Sequence, residues 1–129
     1  MKSSPDYIQV IHADIACPEL PLIEGKGSVR AVIWPGTGAK YRTMHQIVLE
    51  SGSTTKLLGH PMEAAYYVIS GSGSVDDNFG GSQSLTEGSM IHINDGSLYR
   101  ICAGAQGMSV IGGPCPADLN WYKHLSSGE

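Results

Sequence analysis

The sequence predicts an all-β domain, a sandwich or barrel of antiparallel strands with one short C-terminal helix. Short runs rich in Val, Ile and Tyr recur about every ten residues, a spacing typical of such folds. Turn residues separate these runs, and Gly alone accounts for 17 of the 129 residues. No segment before the tail has the apolar period of an amphipathic helix, which excludes alternating helices and strands.

The strands are predicted from runs of β-branched and aromatic residues, and the turns from Gly, Pro, Asn and Ser. The predicted strands are Tyr7–Ile11, Val29–Trp34, Thr43–Glu50, Thr55–His60, Ala64–Ser70, Gly73–Val75, Gln83–Leu85, Met90–Asn94, Leu98–Cys102 and Gly107–Ile111. The turns between them are predicted at residues 35–36, 51–53, 78–81, 94–96 and 112–114.

The length allows one domain with a real core and no second one. Residues 1–28, which contain three prolines, are expected to form an N-terminal arm along a sheet edge. Residues 29–115 are expected to form the barrel, and residues 116–129 a short helix and tail packed on its outside. Because such arms often pair with a second subunit, we expect a homodimer.

Composition excludes several classes of function. The formal charge is −4 and no stretch clusters Lys or Arg, so neither nucleic acid nor an anionic membrane is an expected partner. No apolar run is long enough for a transmembrane helix, and the first residues lack the apolar core of a signal peptide. The three cysteines are odd in number and widely spaced, which indicates reduced thiols in the cytoplasm.

Four glycines between residues 52 and 103 have a spacing that resembles the cupin family. That family carries two motifs, G-x5-H-x-H-x3–4-E-x6-G and G-x5-P-x-G-x2-H-x3-N. Gly52 and Gly71 stand at the ends of the first motif, and Gly88 and Gly96 at the two glycine positions of the second. Glycine at strand ends supplies turns that require a positive φ. The resemblance implies a single-domain cupin, a jelly-roll barrel also described as a double-stranded β-helix.

The ligand positions of these motifs are mostly replaced. Leu58, His60, Ala64 and Tyr99 stand where the family has His, His, Glu and His. A divalent metal needs three or more protein donors, so the sequence favours a site without a metal cofactor. The minority alternative is a divalent transition metal held by His60 together with His92, His45 or Glu63.

Strand parity bears on that alternative. Side chains alternate along a regular strand, so Glu63 points away from the face of Ala64 unless a β-bulge after Pro61 turns it inward. His92 and His45 lie on predicted strands of unknown register, and either could reach the interior. Leu58, Met62 and Tyr66 share the parity of His60, which predicts an apolar and aromatic pocket wall. With His92 and His45, they are the predicted ligand-contacting residues.

The resemblance places His60 and Tyr99 on inward faces near one another, where the family's ligands would be. An imidazole exchanges protons near neutral pH, and a phenol suits a general acid or an oxyanion donor. The two are therefore predicted catalytic residues, with His60 as base and Tyr99 as acid. The predicted function is metal-independent acid–base chemistry on a small, partly apolar metabolite, as a lyase, isomerase or cyclase.

Two other functions stay open from the sequence. A non-catalytic barrel would bind or sense a small ligand without transforming it. A metal-dependent dioxygenase-like cupin would use an atypical ligand set. The same barrel hosts enzymes and non-enzymes alike, so the substrate does not follow from the fold.

Overall fold

Two long strands run through both layers of the structure. The computed structural model describes residues 8–127. Its strands are β1 Ile23–Glu24, β2 Gly27–Ile33, β3 Met44–Leu49, β4 Thr54–Thr55, β5 Glu63–Asp77, β6 Ser82–Leu85, β7 Met90–Ile93 and β8 Tyr99–Cys115. Short 3-10 helices span Pro35–Thr37 and Leu119–Tyr122, and the helix α1 spans Lys123–Ser127. The predicted all-β barrel with a short C-terminal helix is confirmed.

Strands β5 and β8 pair with each other along most of their length and divide the barrel into two sheets. The first half of β5 also pairs with β7, and the second half of β8 pairs with β3, which pairs with β2. At the other end, β5 pairs with β6, and β8 pairs with β4, which pairs with β1. The core lies between these two sheets.

The two strands change sheet through bulges and glycine. The pairing of β5 with β8 shifts register on both sides of Gly71, which has a φ of +83°. The other three motif glycines, Gly52, Gly88 and Gly96, have φ values of +73°, +92° and +76°. All four therefore occupy the left-handed region, where a side chain is disfavoured.

Alternation along β5 fixes which residues reach the interior. Ala64, Tyr66 and Val68 are buried, with exposures of 3%, 3% and 0%. Their neighbours Ala65, Tyr67 and Ile69 are exposed on the outside. This parity agrees with the face that the sequence predicted for Tyr66 and His60.

The N-terminal segment lies along its own chain. Leu20 N donates to Val29 O at 2.8 Å, and Ala31 N donates to Pro18 O at 2.9 Å, so residues 18–20 extend the sheet beside β2. Strands β1 and the start of β2 also fall within the range 1–28 that was expected to be an arm. The arm therefore contributes strands to both sheets of the barrel.

Several strand predictions are wrong in detail. Residues 8–11 form no strand, since Ile8 and Val10 are 86% and 96% exposed with no neighbouring strand, and Tyr7 lies outside the described residues. The strand predicted at Thr55–His60 ends at Thr55 and is followed by a single bridge from Leu58 to Tyr99. The predicted pairs of short strands within β5 and within β8 are each one continuous strand.

The turn predicted at residues 112–114 is also wrong, because these residues lie inside β8. Gly112 pairs with His45 on one side and Tyr66 on the other. A Cβ on Gly112 would collide with the Ala65 carbonyl oxygen, so glycine here permits close approach of two backbones.

No helix of residues 8–127 has the length and hydropathy to cross a membrane.

The C-terminal segment closes one end of the barrel with aromatic rings. The sequence predicted that it packs outside, but Tyr122 is only 6% exposed and stacks on Trp34 with centroids 4.9 Å apart. The Tyr122 hydroxyl lies 2.6 Å from His45 Nε2. His45 is 1% exposed, and burial lowers its pKa to about 4, while the Gly112 backbone offsets part of that lowering.

Gly88 and Gly71 both have a positive φ but differ in the space around them. Alanine variants at these positions therefore test backbone strain without and with a steric collision. Gly88→Ala meets open space, so only backbone strain of about 1 kcal/mol is expected. Gly71→Ala adds a collision with the Gly107 carbonyl oxygen, which brings the expected loss to roughly 3 kcal/mol. Urea denaturation measures both losses, and equal losses would refute the assigned role of Gly71.

Stability is expected to fall between pH 6.5 and pH 4 because of His45. The unfolded imidazole has a pKa near the ordinary 6.5 and the folded one a pKa of about 4, so the unfolded state binds more protons in this window. The free energy of unfolding should therefore drop by about 3 kcal/mol from pH 7 to pH 4.

Denaturation curves at several pH values test this loss. His45→Gln removes the titrating group and should flatten the slope in that window. His12→Gln, whose native side chain is 67% exposed, should keep the wild-type slope. A His45→Gln slope equal to the wild-type slope would contradict the assignment.

Candidate functional site

A two-way backbone bridge holds His60 beside Tyr99. Leu58 N donates to Tyr99 O at 2.7 Å, and Tyr99 N donates to Leu58 O at 2.9 Å. The His60 carbonyl accepts from Gly96 N at 2.9 Å, which joins the two motifs at a second point. His60 and Tyr99 are 5% and 2% exposed, so the predicted pair does share the interior.

Three side chains form one chain of hydrogen bonds inside the barrel. His60 Nε2 lies 2.9 Å from the Tyr99 hydroxyl, and the Tyr99 hydroxyl lies 2.6 Å from the Tyr66 hydroxyl. His60 Nδ1 lies 2.7 Å from the Met62 carbonyl oxygen. We call the chain Tyr66–Tyr99–His60 the relay.

The Met62 carbonyl sets the direction of every bond in the relay. A carbonyl oxygen only accepts, so Nδ1 of neutral His60 carries the proton and Nε2 offers its lone pair. Tyr99 must then donate its hydroxyl proton to Nε2. Tyr66 in turn donates to Tyr99, since the only proton of Tyr99 is already used. The relay thus ends in one basic nitrogen that contacts one phenol.

Both phenols of the relay remain protonated at neutral pH. Burial raises the pKa of Tyr99 above the ordinary 10, and the neighbouring Tyr66 raises it further. Burial likewise raises the pKa of Tyr66, and the hydrogen bond with Tyr99 offsets part of that rise. The two tyrosines of the relay are therefore neutral hydrogen-bond donors rather than phenolates.

One aromatic ring from the C-terminal segment also contacts His60. The Trp121 indole meets the imidazole edge-on, with centroids 5.5 Å apart and planes at 69°. It also lies 5.5 Å from His45. The sequence analysis missed Trp121 and Tyr122 as site residues. The available signal was the pair itself, because two adjacent large rings in a short tail need burial.

The predicted ligand-contacting residues fall into different places. Leu58 is buried at 4%, and Met62 is half-buried and contributes its carbonyl to the relay. Tyr66 faces inward as predicted, but its hydroxyl contacts Tyr99. His45 also faces inward, and its Nε2 contacts Tyr122 rather than His60.

His92 and Glu63 lie outside the barrel. Ile91 and Ile93 point inward from β7, so alternation places the His92 side chain on the outer face of the sheet, where it still lines the cleft described below. His92 Nε2 lies 3.0 Å from Glu63 Oε1, with side chains 60% and 62% exposed. No bulge turns Glu63 inward, since it begins β5 paired with Cys115.

The donors present do not fit a metal ion. Within residues 8–127, no three His, Cys, Asp or Glu side chains come together. Both ring nitrogens of His60 already have protein partners, and His45 Nε2 is held by Tyr122. The ligand set that the minority alternative requires is therefore split between the interior and the outer face.

An open cleft of about 530 Å³ reaches Tyr99 from the side of the barrel. It lies between β6 and β7, which each pair with β5 and, within the described residues, not with one another. Apolar residues that line it include Val75, Leu85 and Ile91, and polar residues include Gln83, His92 and Asn94, together with Tyr99. A wall of this composition suits a small ligand with one apolar part.

Comparison with solved structures places this barrel in a known fold. A predicted oxalate decarboxylase from Thermotoga maritima has a TM-score of 0.69 at 18% identity, covering 84% of this chain and 100% of that one. The polyketide cyclase RemF from Streptomyces resistomycificus has a TM-score of 0.70 at 17% identity, covering 86% and 80%. An RmlC-like cupin from Shewanella frigidimarina has a TM-score of 0.66 at 15% identity, covering 81% and 88%.

The two comparisons made with the sequence found no match. No family model matches it, and no curated protein matches it. Ectoine synthase from P. lautus is a further structural neighbour, with a TM-score of 0.67 at 17% identity that covers 94% of this chain and 87% of that one. The likenesses agree with the resemblance that the glycine spacing indicated. This protein has the cupin fold.

Proposed function

We propose that the protein is a metal-independent enzyme that transfers a proton on a small, partly apolar metabolite. The observation that carries this proposal is the relay, whose hydrogen bonds have one direction and whose Tyr99 also lines an open cleft. Proton transfer next to a carbonyl leads to isomerisation, elimination or cyclisation, so the reaction class is isomerase, lyase or cyclase.

In the proposed first step, a substrate in the cleft presents its acidic C–H to the Tyr99 oxygen. Tyr99 passes its hydroxyl proton to His60 Nε2 and takes the substrate proton in its place. The products are an imidazolium and a substrate enolate, so one C–H bond is broken and one N–H bond is formed. The Met62 carbonyl stabilises the imidazolium, because Nδ1–H donates to it.

In the second step the proton returns along the same path to another atom of the substrate. His60 Nε2 gives its proton to Tyr99, and Tyr99 releases one to the enolate or to a leaving group. Tyr66 holds the Tyr99 oxygen in position during both transfers, since its hydroxyl contacts that atom at 2.6 Å. The enzyme ends in its starting protonation state.

The structural neighbours support action on small molecules. They include a polyketide cyclase, an ectoine synthase and a protein named KdgF from Halomonas. Their identities to this chain lie between 14% and 17%, so they carry only the fold. The chemistry proposed here is argued from the relay.

We further propose that the protein is a homodimer that associates through the outer face of the sheet containing β7. Tyr67 pairs with Met90 on one side and Ile111 on the other, which makes an apolar row across three strands. Tyr67, Ile69 and Met90 are 39%, 43% and 80% exposed. A shallow groove of about 390 Å³ with mainly apolar walls runs along this row.

We also propose that the protein works in the cytoplasm. Its three cysteines, Cys17, Cys102 and Cys115, are all free thiols in the structure. Thiols that stay unpaired are typical of a reducing compartment.

Deuterium uptake tests the proton transfer before the substrate is named. Incubation with a metabolite extract in D2O should place deuterium on one metabolite, as detected by mass spectrometry. His60→Gln and Tyr99→Phe should each lower that rate by about 100-fold or more, because each removes one proton carrier. His12→Gln is the control, because that side chain is 67% exposed and does not line the cleft, and it should leave the rate unchanged.

Three results would overturn this proposal. Uptake that persists in both variants would remove His60 and Tyr99 from the chemistry. Binding of a metabolite without deuterium uptake or product would favour the sensor function. Stoichiometric metal in protein purified without chelator, lost in His60→Gln, would favour the metal-dependent function.

Light scattering after gel filtration tests the dimer. Met90→Glu places two like charges in the proposed interface and should raise the dimer dissociation constant by about tenfold or more. Phe79→Ser alters a residue that is 94% exposed in the β5–β6 turn and should leave the mass unchanged. A wild-type monomer, or a dimer that Met90→Glu does not weaken, would contradict the proposed interface.

A further inference from the structure

Two rings of the C-terminal segment fill a space walled by aromatic side chains. Trp121 lies between His45 and His60, with both centroid distances 5.5 Å. Tyr122 lies between Trp34 at 4.9 Å and His45 at 5.8 Å. We call the space walled by Trp34, His45 and His60 the aromatic recess.

The aromatic recess has the dimensions and the chemistry of a site for flat rings. The Tyr122 ring stacks on Trp34 with planes at 29°, and the Trp121 indole fills the neighbouring position against His45 at 38°. One polar group serves the recess, His45 Nε2, which now contacts the Tyr122 hydroxyl at 2.6 Å. Offset and edge-on arrangements of this kind favour aromatic rings over aliphatic groups of equal size.

The segment that fills the recess is held by its rings and by apolar packing of Ala117 and Leu125 on the core. Strand β8 ends at Cys115. In residues 116–122, Trp121 N donates to Asp118 O at 3.1 Å, so this backbone hydrogen bond stays inside the segment. Side-chain bonds from the segment to the barrel include Tyr122 to His45 and His124 Nε2 to the Glu19 carbonyl at 3.0 Å. Displacing the segment therefore breaks no sheet pairing.

We propose that the aromatic recess is a binding site for a flat two-ring aromatic molecule bearing one hydroxyl or N–H group. Such a molecule takes the places of Trp121 and Tyr122, and its polar group replaces the Tyr122 hydroxyl at His45 Nε2. Its rings recover the contacts with Trp34, His45 and His60 that the segment gives up. Tyr99 is not one of the walls of this site, and binding there does not depend on turnover.

Fluorine NMR of the full chain tests displacement directly. The chain has two tryptophans, so 5-fluorotryptophan labelling gives two resonances, which Trp34→Phe assigns. With 2-naphthol as probe, the Trp121 resonance should move saturably to a solvent-exposed shift and gain a D2O isotope shift. The Trp34 resonance should gain no D2O isotope shift, because naphthol covers that ring in place of Tyr122.

Two comparisons sharpen the result. Decahydro-2-naphthol carries the same hydroxyl on saturated rings and should not displace Trp121. Tyr122→Phe removes the hydrogen bond to His45, which loosens the segment, so 2-naphthol should bind about five- to tenfold more tightly. Tyr41→Phe changes a tyrosine that is 72% exposed and should leave the affinity unchanged.

The proposal fails if Trp121 stays protected at saturating 2-naphthol, whether the probe binds elsewhere or not at all. It also fails if the saturated alcohol displaces Trp121 equally, or if Tyr122→Phe leaves the affinity unchanged. The deuterium experiment is independent of these readings. Tyr99 carries a proton in the proposed reaction but does not wall the recess. Loss of proton transfer in Tyr99→Phe with displacement intact, or the reverse, therefore distinguishes the failure of one proposal from the failure of the other.

Discussion

The pairing of β5 with β8 is the interaction on which the rest of the molecule depends. These strands stay paired from Glu63 with Cys115 to Asp77 with Tyr99, and they cross from one sheet to the other together. Gly71 and the register shifts beside it let both strands bend at the same level. Because the same pairing carries Tyr66 on β5 and Tyr99 on β8, it also sets the distance between their hydroxyls.

Two imidazoles inside one barrel show how surroundings decide a side chain's role. Both nitrogens of His60 have hydrogen-bond partners. The Met62 carbonyl can only accept, from Nδ1, so the Tyr99 phenol has to donate to Nε2. His45 is equally buried, and one of its nitrogens, Nδ1, makes no hydrogen bond with any described residue. Burial keeps His45 neutral with a pKa of about 4, which suits a packing role better than proton exchange near neutral pH.

Local features of the fold could be predicted from the sequence. The four motif glycines were predictable because a positive φ is a property of single residues, and all four have it. The inward face of His60 and Tyr66 followed from alternation along one stretch of chain. The positions of His92 and His45 depended on register with distant strands, which residue spacing does not contain.

Tertiary contacts account for the wrong predictions. A run of Gly-Gly-Pro at residues 112–114 has the composition of a turn, but its glycines admit the backbone of β5 instead. The C-terminal rings were expected outside because a short amphipathic tail gives no sign of which cavity it enters. Trp121 and Tyr122 became site residues only when the barrel end they close was visible.

Strands β6 and β7, which do not pair with each other within residues 8–127, line the cleft, whereas the relay lies on other parts of the chain. Residues such as Gln83 and Ile91 line the cleft from edge strands, whereas the relay is anchored in β5, β8 and the segment before β5. Edge strands tolerate changes in width and side chain better than strands paired on both sides. Changes along the seam between β6 and β7 can therefore alter the cleft and leave the Tyr66–Tyr99–His60 hydrogen bonds in place.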